Sequence, residues 1–245
     1  MEAADIKGLL GLLLVDGSLN QYHTPRGGYV QLVLTGGVTE AGFLAEKVDE
    51  FRQFIPTKAD IVPYKTAPRF SKRRDKNGIV DAEQPRQTTV LRFRVSTNKL
   101  RPVYNLLYPD GSREITQSVL DMLGAGAAAW TWAEGGRNNS DGSAELARCG
   151  TSRIEAERIS AWLELLTGAK STIPPFGGED DDYVKPRLAF TPENATKLRT
   201  TLFPYAPITR RYVFDERSIH QDGTLVVPGQ GEDQPARAQE AAALA

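Results

Sequence analysis

The sequence predicts an α+β fold built twice over: a pseudo-twofold duplicated αββαββα chain with two antiparallel sheets. Two observations carry that expectation. The first is a repeated block. The eighteen residues Arg92–Pro109 and the eighteen residues Arg187–Pro204 share one layout: a strand, a polar cap (Thr97-Asn98; Thr191-Pro192), then a short helix. Both blocks end Leu-aromatic-Pro, and proline cannot continue a helix. The second is a pair of apolar helices, each running into an acid followed by glycine: Gly8 to Asp16-Gly17, and Ala127 to Glu134-Gly135.

Each half can be followed in order. The opening helix leads to a hairpin segment, Tyr29–Thr35 in the first half and Ala144–Cys149 in the second. An amphipathic helix comes next. Phe43, Val48 and Phe51 make its apolar stripe in the first half; Ile154, Ile159, Trp162, Leu163 and Leu166 make it in the second. A short strand follows, Ala59–Val62 or Ser171–Ile173, and then the repeated strand–helix block. The offset between equivalent points falls from 118 residues at Asp16/Glu134 to 95 at Arg92/Arg187. The first half therefore carries an insertion, placed at the basic stretch Lys65–Gln87. The expected organisation is a first half over 1–117, a second over 118–214, and an acidic, flexible tail over 215–245.

Composition bounds the chemistry. With 245 residues, 40% hydrophobic and 25% charged, the chain is an ordinary globular protein. Cys149 is the only cysteine and His23 and His220 the only histidines, which excludes an internal disulfide, a cysteine zinc site and a histidine-rich metal site. Any metal is held by oxygens, as magnesium or calcium is. The longest apolar run, Leu9–Val15, is too short to span a bilayer, and no basic region precedes it. The expectation is an intracellular protein with no secretory signal and no membrane partner. Net charge is −1, but Lys65–Arg101 holds eleven bases against three acids. Such a stripe suits phosphates whatever the total charge.

A carboxylate at a helix C-terminus faces the negative end of the macrodipole, so Asp16 and Glu134 need a reason. Small residues (Gly8 and Gly11; Ala125 and Ala127–Ala129) would let the two helices pack at a pseudo-twofold axis. The acids would then emerge together, and divalent cations would relieve their repulsion. Metal ions bridging carboxylates cleave phosphodiesters.

Leu9–Gly17 resembles the LAGLIDADG motif, and Ala127–Gly135 resembles a degenerate second copy. Arg92–Pro109, Gly111–Ile115 and Val119–Leu123 resemble the stretch before the second motif in single-chain LAGLIDADG homing endonucleases. The resemblance covers about residues 6–214. It implies four-stranded sheets forming a DNA-binding saddle, with motif helices at the subdomain interface. It also implies a monomeric, site-specific double-strand DNA endonuclease of homing type that uses Mg2+ (or Mn2+). Asp16 and Glu134 become the metal-binding and catalytic acids. Arg113 becomes catalytic, standing near the position where the family carries a lysine; Val213 stands near that position in the second half. Tyr29, Gln31, Arg92, Arg94, Arg137 and Arg148 fall where strand residues read base edges. Arg69, Lys72, Arg73, Arg74 and Lys76 of the insertion would hold phosphates. The alternative is a catalytically degenerate binder on the same fold, with structured intron RNA or a ribonucleoprotein as partner.

Overall fold

A computed structural model describes residues 2–25, 27–67, 72–74, 80–82, 87–175 and 185–215. The chain divides into two compact units, the first Met1–Glu114 and the second from Ile115 onward.

The first unit begins with α1 (Ala3–Leu13), whose Leu9, Leu10, Leu12 and Leu13 are buried. A Cβ at Gly8 would fall 2.3 Å from the Phe54 ring, so that glycine lets α2 (Ala41–Phe54) cross close by. The helix stops at Leu13, short of the Val15 that the apolar run suggests. Its last carbonyls are taken by a side chain described below, and the chain turns at Gly17 with φ +84°. A hairpin of β1 (Ser18–Thr24) and β2 (Gly27–Gly36) follows, then α2. After β3 (Ile61–Lys65) the basic insertion forms its own ladder of β4 (Lys72–Arg74) and β5 (Val80–Ala82). The unit closes with β6 (Thr89–Thr97) and α3 (Arg101–Leu107).

The main sheet is antiparallel, in the order β1-β2-β6-β3. Period-two alternation sorts its faces. Val30, Leu32, Leu34 and Phe93 point inward and are buried, with α2 and α3 against them and α1 packed on those helices. Phe51 meets Phe93 edge to face at 5.6 Å between centroids.

The second unit repeats the order with shorter strands. After α4 (Gln117–Leu120) come α5 (Ala125–Gly135), β7 (Gly136–Asn138), β8 (Ala144–Leu146) and α6 (Arg153–Thr167). Then come β9 (Leu188–Phe190), α7 (Pro192–Leu202) and two 3-10 turns, Phe203–Tyr205 and Ile208–Phe214. The strand order is β7-β8-β9. A single bridge between Thr172 and Ala189 stands where β3 pairs with β6 in the first unit. Among the described residues this sheet has three strands of three residues each and one bridge, where the resemblance implies four strands.

Two details of α6 depart from the apolar stripe read in the sequence. Ile154 is 60% exposed, and Glu155 and Ala156 take the buried position instead. Glu155 is tolerated because its carboxylate collects donors. It accepts from the backbone N–H of Ile115 (2.8 Å), Thr151 (2.7 Å) and Ser152 (3.0 Å), and from the Thr151 hydroxyl (2.8 Å). Burial raises this carboxyl's pKa, but the backbone and hydroxyl donors outweigh burial and hold it below the ordinary glutamate value. It thereby caps α6 and ties the Ile115 strap to it. Cys149 is buried, donates to the Pro186 carbonyl, and has its thiol pushed up to about 11 by burial. Such a thiol carries no nucleophilic chemistry.

Candidate metal site and nucleic-acid interface

Asp16 sits in the bend between α1 and β1. Its Oδ2 lies 2.8 Å from Nζ of Lys47, which α2 buries to 1% exposure, while the aspartate keeps 20%. Lys47 shares a helix face with Leu44, Val48 and Phe51. That spacing was the available signal: a lysine on a buried stripe needs an acid, and Asp16 is it. Reading the sequence missed it because the two are 31 residues apart.

Arg113 holds the same bend by its backbone. Its guanidinium donates to the carbonyls of Leu14 (3.1 Å), Gly17 (2.6 Å) and Leu13. These carbonyls flank Asp16 and include the unsatisfied end of α1. A rigid fork of donors at the negative end of the helix dipole is the favourable charge there. Arg113 thus caps the helix and fixes the loop that carries the acid.

Glu134 lies in the last turn of α5, the equivalent place in the second unit. Its carboxylate is 8% exposed, and its Oε2 is 3.2 Å from Arg148, whose side chain is 52% exposed. Arg148 was expected on a base-reading strand. It stands two residues past β8, outside the ladder, and pairs with the acid. Val213 is buried, and its carbonyl accepts from Trp132 and Asn138.

The donor chemistry at both places suits a hard divalent cation, since carboxylate oxygens are what magnesium takes. Among the described residues no group of three or more histidines, cysteines or acids comes together. A metal at Asp16 must therefore share its carboxylate with Lys47, and one at Glu134 with Arg148.

The outward face of the first sheet is the other feature. Tyr29, Gln31, Arg92 and Arg94, singled out from the sequence, all lie on it. The register sets them in rows: Tyr22 opposite Tyr29, Asn20–Gln31–Ser96, Ser18–Val33–Arg94 and Thr35–Arg92–Val62. Tyr22 and Tyr29 stack at 5.2 Å, and Gln31 donates to the Ser96 hydroxyl at 3.1 Å. Asn20, Tyr22, Ser96 and Tyr64 belong to the same face, and the register of a closed hairpin is what would have found them. Among the described residues of this face none is acidic.

The second unit's outward row differs. Arg137 is exposed on β7, opposite Glu145 in the ladder, and the Glu145 carboxylate binds Arg187 at 3.4 Å. Lys72, Arg73 and Arg74 form strand β4; Arg69 and Lys76 lie outside the described residues.

Several solved structures align with this chain. The homing endonuclease I-WcaI bound to its DNA recognition sequence aligns with a TM-score of 0.61 at 12% identity, over 86% of this chain and 85% of that one. Mesophilic variants of the homing endonuclease I-DmoI align at 0.49 and 16%, over 81% and 96%. The N-terminal LAGLIDADG domain of DUF199/WhiA aligns at 0.42 and 8%, over 81% and 80%. No protein-family model and no curated protein matches the sequence. The α+β chain, with its order of helices and antiparallel strands given twice, has the fold of the LAGLIDADG homing endonucleases.

Proposed function

We propose that the protein is a metal-dependent, site-specific double-strand DNA endonuclease of homing type, acting as a monomer. The observation that carries this reading is the recurrence of one arrangement. In each unit the helix that leads into the sheet, α1 or α5, delivers a carboxylate, Asp16 or Glu134, beside a cationic side chain, just before the first strand. The open face of the first sheet supplies the surface for a duplex.

Asp16 and Glu134 would hold Mg2+ (or Mn2+), which supplies Lewis-acid stabilisation and an activated water for phosphodiester hydrolysis. Lys47 holds the Asp16 carboxylate in place, and Arg113 fixes the backbone on either side of it. Tyr29, Gln31, Arg92 and Arg94 of the first sheet face the base edges, and Arg137 of the second sheet takes the same role in its own unit. The basic insertion, with Arg69, Lys72, Arg73, Arg74 and Lys76, neutralises phosphates. Arg148 serves Glu134 in this scheme and contributes to DNA only through its exposed end.

The test is cleavage of a duplex first selected by the full chain from a random-sequence pool. Wild type cuts it in magnesium. Asp16→Asn and Glu134→Gln each lower the rate by about 100-fold or more while binding stays within a few-fold, because base and phosphate contacts lie elsewhere. One observation favours a second reading. Both acids already carry a protein cation, so each place is charge-balanced without metal. A catalytically silent binder of structured intron RNA or of a ribonucleoprotein would look the same. Tight binding to RNA with no cleavage of any selected duplex would establish that reading instead.

A further inference from the structure

We propose that Arg92, laid against the ring of Tyr64, is the residue through which the first unit demands one guanine in its target. This rests on the reading that the open face of the first sheet lies in a duplex groove.

Arg92 stands on β6, an inner strand, opposite Thr35 on one side and Val62 on the other. Tyr64 is its diagonal neighbour on β3, opposite Val90. The guanidinium carbon lies 3.6 Å from the centroid of the Tyr64 ring. At that distance the plane of the fork is held by cation–π attraction. The Nε is buried and, among the described residues, makes no hydrogen bond, so packing against the ring orients the inner part of the side chain. Tyr64 itself is 39% exposed, which places the pair at the surface. Among the described residues Arg92 forms no ion pair, whereas Arg148 and Arg187 of the second unit are each tied to an acid.

An arginine arranged this way is set for one task. Guanine alone offers two acceptors, O6 and N7, side by side in the major groove, and a guanidinium fork meets both. Holding the fork before binding removes the entropic cost of ordering a long side chain, so the contact discriminates rather than merely attracts. Arg94, two residues along on the same face, is exposed and has no such ring described beside it. Arg92 is the reader and Tyr64 its positioning residue.

The experiment is selection of bound duplexes from a random-sequence pool by the full chain in EDTA, so that no duplex is cut. Wild type is expected to enrich a site with a fixed guanine. Arg92→Ala enriches the same site with that position degenerate, and replacing the guanine costs wild type about 10- to 100-fold in affinity but costs the variant little. Tyr64→Leu lowers the guanine preference several-fold, and Tyr64→Phe, which keeps the ring, restores it. A merely structural role for Tyr64 would shift all positions alike. If wild type enriches no duplex, the DNA reading fails. If it enriches a site in which no position changes with Arg92→Ala, or if Tyr64→Leu leaves the preference intact, this inference is overturned while the DNA reading stands.

Discussion

The two units follow one plan and differ in where they place their polar groups. The first has strands of up to ten residues and, among the described residues of its sheet, an outward face without acids. The second has three-residue strands, and Glu145 on β8 is paired with Arg187. The acids differ in the same sense. Asp16 is matched by a buried lysine, Glu134 by an arginine half in solvent. The lesson is that a duplicated topology constrains the backbone and leaves the electrostatics free. The first unit has its counter-charge built into the core; the second has it at the surface, where water and ions compete.

The largest effect should separate those two pairings. Lys47→Ala leaves a carboxylate at a mostly buried place without its main partner, and should destabilise the protein by about 3–5 kcal/mol in chemical denaturation. Arg148→Ala removes a half-exposed partner whose place water can take, and should cost less, about 1–2 kcal/mol, although the Glu134 carboxylate it leaves is itself buried. Equal costs would erase the contrast. Acid is the next lever. Glu155 is held below its ordinary pKa when folded, so its contribution is present above the unfolded value and is lost as pH falls through the folded one. Stability should decline below about pH 4.3. Glu155→Gln should lower stability at pH 7 by about 2–3 kcal/mol and flatten that decline, measured by urea melts from pH 7 to pH 3. An unchanged acid limb would mean that other carboxylates set it. The third lever is Arg113. Arg113→Ala frees three carbonyls and should cost about 2 kcal/mol. Arg113→Lys should recover only part of it, because an ammonium cannot span the same fork.

Much of this was legible in the sequence, for identifiable reasons. Proline stops and polar caps are local, so the helices after Thr97 and Thr191 could be placed. The side-chain period of a strand is local too, which put Tyr29, Gln31, Arg92 and Arg94 on one face. What escaped were the long-range exchanges. Lys47 reads as a solvated lysine until Asp16 is brought to it. Glu155 reads as a surface acid until the strap at Ile115 crosses above. Arg148 reads as a strand residue because nothing local tells that β8 ends at Leu146.

The grip of Arg113 on the bend at Asp16 also has a consequence in time. The carbonyls it fastens lie 96 to 100 residues earlier in the chain. During synthesis at about 5–20 residues per second, the acid would emerge roughly 5–20 s before the arginine that fixes its loop. Until then α1 has an open C-terminal end, and the place where a metal would sit has no settled shape. The first unit is finished, as a site, only when its last residues are made.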